Sequence, residues 1–129
     1  MPAVTKNTLQ EKEDKKSYGH KGELLAVRYL QRKKYDVLET NFRFGRGEID
    51  IIAKDKDTLV FVEVKTRRNE VFGYPEEGVN RQKQKQIKAV ARGYLFQKKV
   101  KAASIRFDVI AVCYRSPEDY SIHHIPDAF

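Results

Sequence analysis

Asp50, Glu63 and Lys65 are ionisable residues set inside two strongly apolar stretches, "GEIDII" (47–52) and "TLVFVEVKTRR" (58–68). A buried carboxylate is costly unless it meets a partner, a metal or solvent in a cleft. Two carboxylates on adjacent strands can converge on one hard cation, and an oxygen donor set suits Mg²⁺ or Mn²⁺. A lysine beside them can orient water or offset the negative charge that builds on a phosphate. The chemistry such a trio could perform is metal-assisted hydrolysis of a phosphate ester. The plainer alternative is a structural Glu63–Lys65 ion pair near a strand end, because acidic-x-Lys triplets arise by chance in many proteins.

The elements that must position these groups are legible from periodicity. Strand side chains alternate faces. Leu59, Phe61, Glu63 and Lys65 therefore share one face and Val60, Val62 and Val64 the other, which marks a strand covered on both sides. The same alternation puts Asp50 on the face of Ile52, bracketed by Ile49 and Ile51. The polar "KDKD" (54–57) joins the two strands as a hairpin. Upstream, residues 18–34 have helical periodicity through Ala26, Val27 and Leu30, with Glu23 on that inward stripe. "YDVLETNFRF" (35–44) reads as a first strand, followed by the turn "GRG" (45–47).

After "FGYPEEG" (72–78) a long helix is expected over about 79–99, with Ile87, Val90, Ala91, Tyr94 and Leu95 as its apolar face. Extending that face back one turn points Lys83 and Gln84 toward the sheet, unless the first turn, like that of Glu23, overhangs the sheet into solvent. Arg81, Lys85, Lys88 and Arg92 form a basic stripe, able to track a phosphate backbone or simply to be solvated. "SIRFDVIAVCY" (104–114) supplies a fourth strand, and "SIHHIPDAF" (121–129) a short edge strand. The order α-β-β-β-α-β implies an α/β fold, a mixed sheet with helices packed on it.

The 129 residues suit a single domain over 18–129, preceded by a polar, flexible or partly helical lead-in at 1–17. Lys and Arg outnumber Asp and Glu by 26 to 18, a formal charge of +8, which favours a polyanionic partner, nucleic acid ahead of a membrane surface. The single Cys113 excludes an internal disulfide and a cysteine-based metal site, and its apolar run makes it a small core residue. No stretch reaches membrane-spanning length and no leader-like apolar segment stands near residue 1, so a cytoplasmic protein is expected.

Taken together, "GHKGELLAVRYL", "NFRFGRGEIDIIAKD", "LVFVEVKTR", "FGYPEEGVNRQKQKQI", "RFDVIAV" and "HHIPDAF" resemble UPF0102. This is a family of small bacterial endonuclease-like proteins of the PD-(D/E)XK nuclease superfamily, similar to archaeal Holliday junction resolvases. The resemblance covers about Gly19 to Phe129. It implies a restriction-endonuclease-like three-layer core and a Mg²⁺- or Mn²⁺-dependent endonuclease acting on DNA, branched or structured DNA included. By position, Asp50 and Glu63 would be metal ligands and Lys65 the catalytic lysine. Glu23 matches the helix carboxylate that helps bind or orient the metal and its water, and Lys83 a lysine recurring at the start of the second helix. The superfamily's leading Pro-Asp is Ile49-Asp50 here. Arg67, Arg81, Lys83, Gln84, Lys85, Lys88 and Arg92 are the candidate nucleic-acid contacts. Resolvases act as dimers, so a homodimer is the assembly to look for. From a different class comes a nucleic-acid-binding module that keeps the fold without turnover, although clustered carboxylates facing phosphates argue against it.

Overall fold

The chain runs through helix α1 (Pro2–Arg32), strands β1 (Asp36–Phe44), β2 (Gly47–Asp55) and β3 (Thr58–Arg68), helix α2 (Arg81–Lys98), and strands β4 (Ser104–Ser116) and β5 (Asp119–Ile125). These come from a computed structural model that describes the backbone of residues 2–68 and 79–129, with side chains from residue 17 onward. The expected approach to the second helix at 72–78 lies outside the described residues. The backbone of α1 is helical from Pro2.

One five-stranded sheet has the order β1-β2-β3-β4-β5. Neighbours are antiparallel except β3 and β4, which run parallel in register from Thr58↔Ser104 to Arg68↔Tyr114. A parallel neighbour needs a crossover connection, and α2 lies within it. The two helices cover opposite faces. Leu25, Ala26 and Leu30 of α1 pack with Ile51, Ala53, Val60, Val62, Ile110 and Val112. Ile87, Val90, Ala91 and Tyr94 of α2 pack with Ile49, Ile52, Leu59, Phe61, Phe107 and Val109. This is the expected α/β fold with a mixed sheet, and β3 alternates between the two cores as its sequence requires. Among the described residues no helix is long and apolar enough to cross a membrane.

Three features differ from simple periodicity. Ile49 and Ile52 both lie under α2 while Ile51 and Ala53 lie under α1, so the alternation of β2 slips by one at Asp50. Cys113 is free and half-buried, not a core residue. The C-terminal segment forms a full edge strand of seven residues instead of a short one.

A polar cluster centred on Asp108 ties the elements around β4 together. Asp108, fully buried in β4, accepts hydrogen bonds from Arg106 Nε at 2.8 Å and Nη2 at 3.0 Å, and from Asp127 N–H at 2.9 Å. His124 Nε2 of β5 lies 2.7 Å from the same carboxylate, and Tyr29 Oη of α1 lies 3.3 Å from His124 Nδ1. Tyr35 Oη accepts from Arg106 at 2.9 Å. Helix, sheet and C-terminal turn are thereby tied to one buried acid.

Candidate functional site

Pairing between β2 and β3 runs from Asp55↔Thr58 to Ile51↔Val62 and ends there. Beyond that point β2 continues beside β1 and β3 beside β4. Asp50 and Glu63 are the first residues past the last pair, so the two strands part where the acids stand. Asp50 Oδ2 accepts a 2.8 Å hydrogen bond from Val64 N–H. A side chain thus replaces the missing ladder partner, as a buried backbone donor demands.

Glu63 is 6% exposed and gathers two cations. Lys65 Nζ, two residues along the same strand face, lies 3.7 Å from Glu63 Oε1, and Lys83 Nζ lies 3.8 Å from the same atom. Lys83 owes its position to the start of α2. Asn80 caps the helix, its Oδ1 accepting from Lys83 N–H at 2.8 Å, which fixes where the first turn begins. Lys83 then falls on the helix face of Val90 and Tyr94, toward the sheet.

Helix α1 brings the third predicted carboxylate. At Gly22 a Cβ would stand 2.6 Å from Thr66 Oγ1 of β3, so the absence of a side chain lets α1 close onto the strand. Half-buried Glu23 follows directly. With its amide nitrogen turned to the two acids, the orientation its hydrogen bonding requires, Asn41 donates to Glu23 Oε2 at 3.1 Å and to Glu48 Oε1 at 3.0 Å. Glu48 also lies 3.7 Å from Arg43.

The electrostatics follow from packing acids together. Burial, then the neighbouring Asp50 carboxylate, push Glu63 up to about 7 against the opposing pull of Lys83 and Lys65. Burial likewise raises Asp50, with the Val64 hydrogen bond working against it. Glu23 is raised by burial, then by Asp50 and Glu48, with Asn41 opposing. A cation in this cluster would relieve the desolvation and mutual repulsion of these acids. Among the described residues no three His, Cys, Asp or Glu side chains are placed to hold a metal ion together. Asp50 and Glu63 alone could hold Mg²⁺ or Mn²⁺ as a pair, because Mg²⁺ is usually held by one or two carboxylates, with waters and substrate phosphate completing its shell.

The predicted nucleic-acid residues separate into groups. Lys83 joins the acids. Gln84 turns back on its own helix entry, donating to Val79 O at 2.9 Å. Arg67 is half-buried, its Nη1 3.4 Å from Thr66 O. Arg81, Lys85 and Arg92 are exposed on the face of α2 opposite Lys83. Lys88 lies on that arc but rests over the rings of Phe107 and Phe129, at 5.6 and 5.9 Å.

Glu48 and Asn41 were not singled out by sequence reasoning. Glu48 had a signal, standing two residues before Asp50 in "GEID". Asn41 had less, since its role depends on a left-handed backbone at φ 53° inside β1.

The model described as "Uncharacterised protein family UPF0102" matches residues 22–112, a span that holds Glu23, Asp50, Glu63, Lys65 and Lys83. A UPF0102 protein of Geotalea uraniireducens is 48% identical over 93% of this chain and 94% of its own length. One from Geotalea daltonii is 50% identical over 92% and 93%, and one from Acetivibrio thermocellus 46% over 78% of each. With the candidate site inside the matched span, this chain belongs to the UPF0102 family.

Proposed function

We propose that this UPF0102 chain is a Mg²⁺- or Mn²⁺-dependent endonuclease of the PD-(D/E)XK type, hydrolysing phosphodiester bonds in DNA. The observation that carries the reading is the position of Asp50 and Glu63. Both acids stand where β2 and β3 separate, held together despite burial and mutual repulsion, with Lys65 alongside. Perturbed titratable groups gathered at one place are a mark of functional sites.

Hydrolysis forms a bond from water oxygen to phosphorus and breaks one phosphorus–oxygen ester bond. A bound divalent cation supplies charge neutralisation at the phosphate and acidifies water. The chain's own groups do the rest. Asp50 commits one oxygen to Val64 N–H, which fixes its carboxylate orientation. Glu63 offers the second carboxylate, and Glu23 adds negative potential from α1. Lys65 presents its amine beside Glu63, where it can orient the attacking water or offset charge in the transition state. Lys83 holds Glu63 toward its ionised form.

The test is cleavage of labelled linear, flapped and four-way DNA with Mg²⁺ or Mn²⁺. Wild type would be compared with Asp50→Asn, Glu63→Gln and Lys65→Ala, each checked by thermal melting. Metal-dependent cutting that disappears in folded variants supports the enzyme. Wild type that binds DNA and cuts nothing under either metal overturns it in favour of the binding module.

A further inference from the structure

We infer that the C-terminal end of α2 carries a stacking site for an unpaired nucleobase, about six or seven nucleotides along the basic stripe from a phosphate paired with Arg81. The inference rests on the nucleic-acid binding that the function proposed above requires, and not on cleavage. Residues 81–101 contain eight Lys or Arg and no acid, while in the rest of the chain the two signs balance. The chain's whole net charge therefore sits on α2 and the turn after it. On a helical projection Arg81, Lys85, Lys88, Arg92 and Phe96 fall within an arc of about 80°. Phe96 continues the basic stripe, and it is 85% exposed.

The ring does not stand alone. Phe44, at the end of β1, is seated against α2 because residue 93 is glycine; a Cβ there would stand 2.4 Å from Phe44 Cδ1. Phe44, Leu95, Phe96, Gln97 and Lys99 line a groove of about 760 Å³. An aromatic face between cations is the combination that binds single strands, where bases stack and phosphates pair with lysine and arginine. A second copy of this chain fits the groove poorly. An isologous interface sets the same patch against itself and would press Arg92, Lys98 and Lys99 onto their own images. Arg81 and Phe96, the two ends of the stripe, are fifteen positions apart in one helix, which is about 22 Å at 1.5 Å per residue. At 3.4 Å per nucleotide that separation spans about six or seven nucleotides.

The experiment measures binding of the full chain in EDTA to a single strand, a blunt duplex, and duplexes with flaps of about three and about ten nucleotides. Phe96→Ala should bind the single strand and the longer flap about tenfold more weakly, and the blunt duplex and shorter flap with less than about twofold change. Phe96→Tyr should retain wild-type affinity. Three results overturn the inference: equal loss on blunt duplex and single strand, no loss on any substrate, or wild type that does not bind single strands. A fourth is wild type sedimenting as a dimer and Phe96→Ala as a monomer, which would make the groove a self-interface. Absence of cleavage would overturn the proposed nuclease and leave these outcomes readable.

Discussion

Lys83 Nζ lies 3.8 Å from Glu63 Oε1, an ion pair joining the first turn of α2 to the point where β3 leaves β2. With Lys65 at 3.7 Å from the same oxygen, two cations hold one buried acid. Replacing Lys83 with methionine removes one of them, so Glu63 should titrate above its present value of about 7. Carbon-detected NMR of the Glu63 carboxyl would read the change. An unmoved titration would mean that the pair has no electrostatic consequence.

Glu63 also predicts the slope of stability against pH. Its folded pKa of about 7 stands above the ordinary 4.5, so between those values the folded chain holds a proton that the unfolded chain has released. Stability should therefore fall as pH rises through this window, by on the order of 3 kcal/mol from this residue. Asp50 and Glu23, raised as well, act in the same direction. Urea unfolding of wild type and Glu63→Gln from pH 4 to 8 should show a flatter profile in the variant. A steeper fall in the variant would contradict the assignment.

Two substitutions at Asp50 separate its structural and chemical parts. Asp50→Asn keeps an oxygen for Val64 N–H, whereas Asp50→Ala leaves that donor unpaired, at a cost of about 1–3 kcal/mol. Melting should therefore rank wild type and Asn close together, with Ala below. Mg²⁺ or Mn²⁺ should raise the Tm of wild type at pH 8, and both variants should lose that rise. An undiminished metal-induced shift in Asp50→Asn would remove Asp50 from the metal site.

Asp108 should matter for folding alone. Its removal would strand Arg106 and His124 around a fully buried position, and breaking a buried pair costs about 3–5 kcal/mol. Burial alone would raise its pKa, but hydrogen bonds from His124, Arg106 and Asp127 N–H outweigh it and hold it low. Its stabilisation is thus present above the unfolded carboxylate pKa and lost as pH falls through the folded value. Denaturant melts of Asp108→Ala at pH 7 check the magnitude; a loss under 1 kcal/mol would show the cluster to be dispensable.

Binding along α2 should be strongly salt-dependent. Reversing Arg81 and Arg92 to glutamate removes two exposed cations. The slope of log affinity against log salt should shrink by about two on a duplex, equally for all sequences. An unchanged slope would leave the outer face of α2 as mere solvated surface.

Much of this was legible in the chain because strand alternation and helix periodicity are local signals. The two faces of β3, the inward stripe of α1 and the inward turn of Lys83 all follow from spacing alone. What escaped depends on relations between elements. The alternation of β2 slips at Asp50, a break that hydrophobic pattern does not encode. Glu48 enters the acid cluster through Asn41, whose positive φ no spacing rule anticipates. Gln84 sat on the right face of α2, yet its amide is consumed by Val79 O. A side chain's direction can be read from period; its partner cannot.

All of the surplus positive charge lies in residues 81–101, six cations in α2 and two just after it, so the field of a polyanion should pull hardest on this part of the chain. That pull should turn α2 forward before any contact forms. Most orientations of an approaching protein are normally unproductive; here rotation is biased while the partners are still apart. Added salt shortens the reach of the field. Ionic strength should then slow the encounter itself, through lost alignment, as well as weakening the complex that follows.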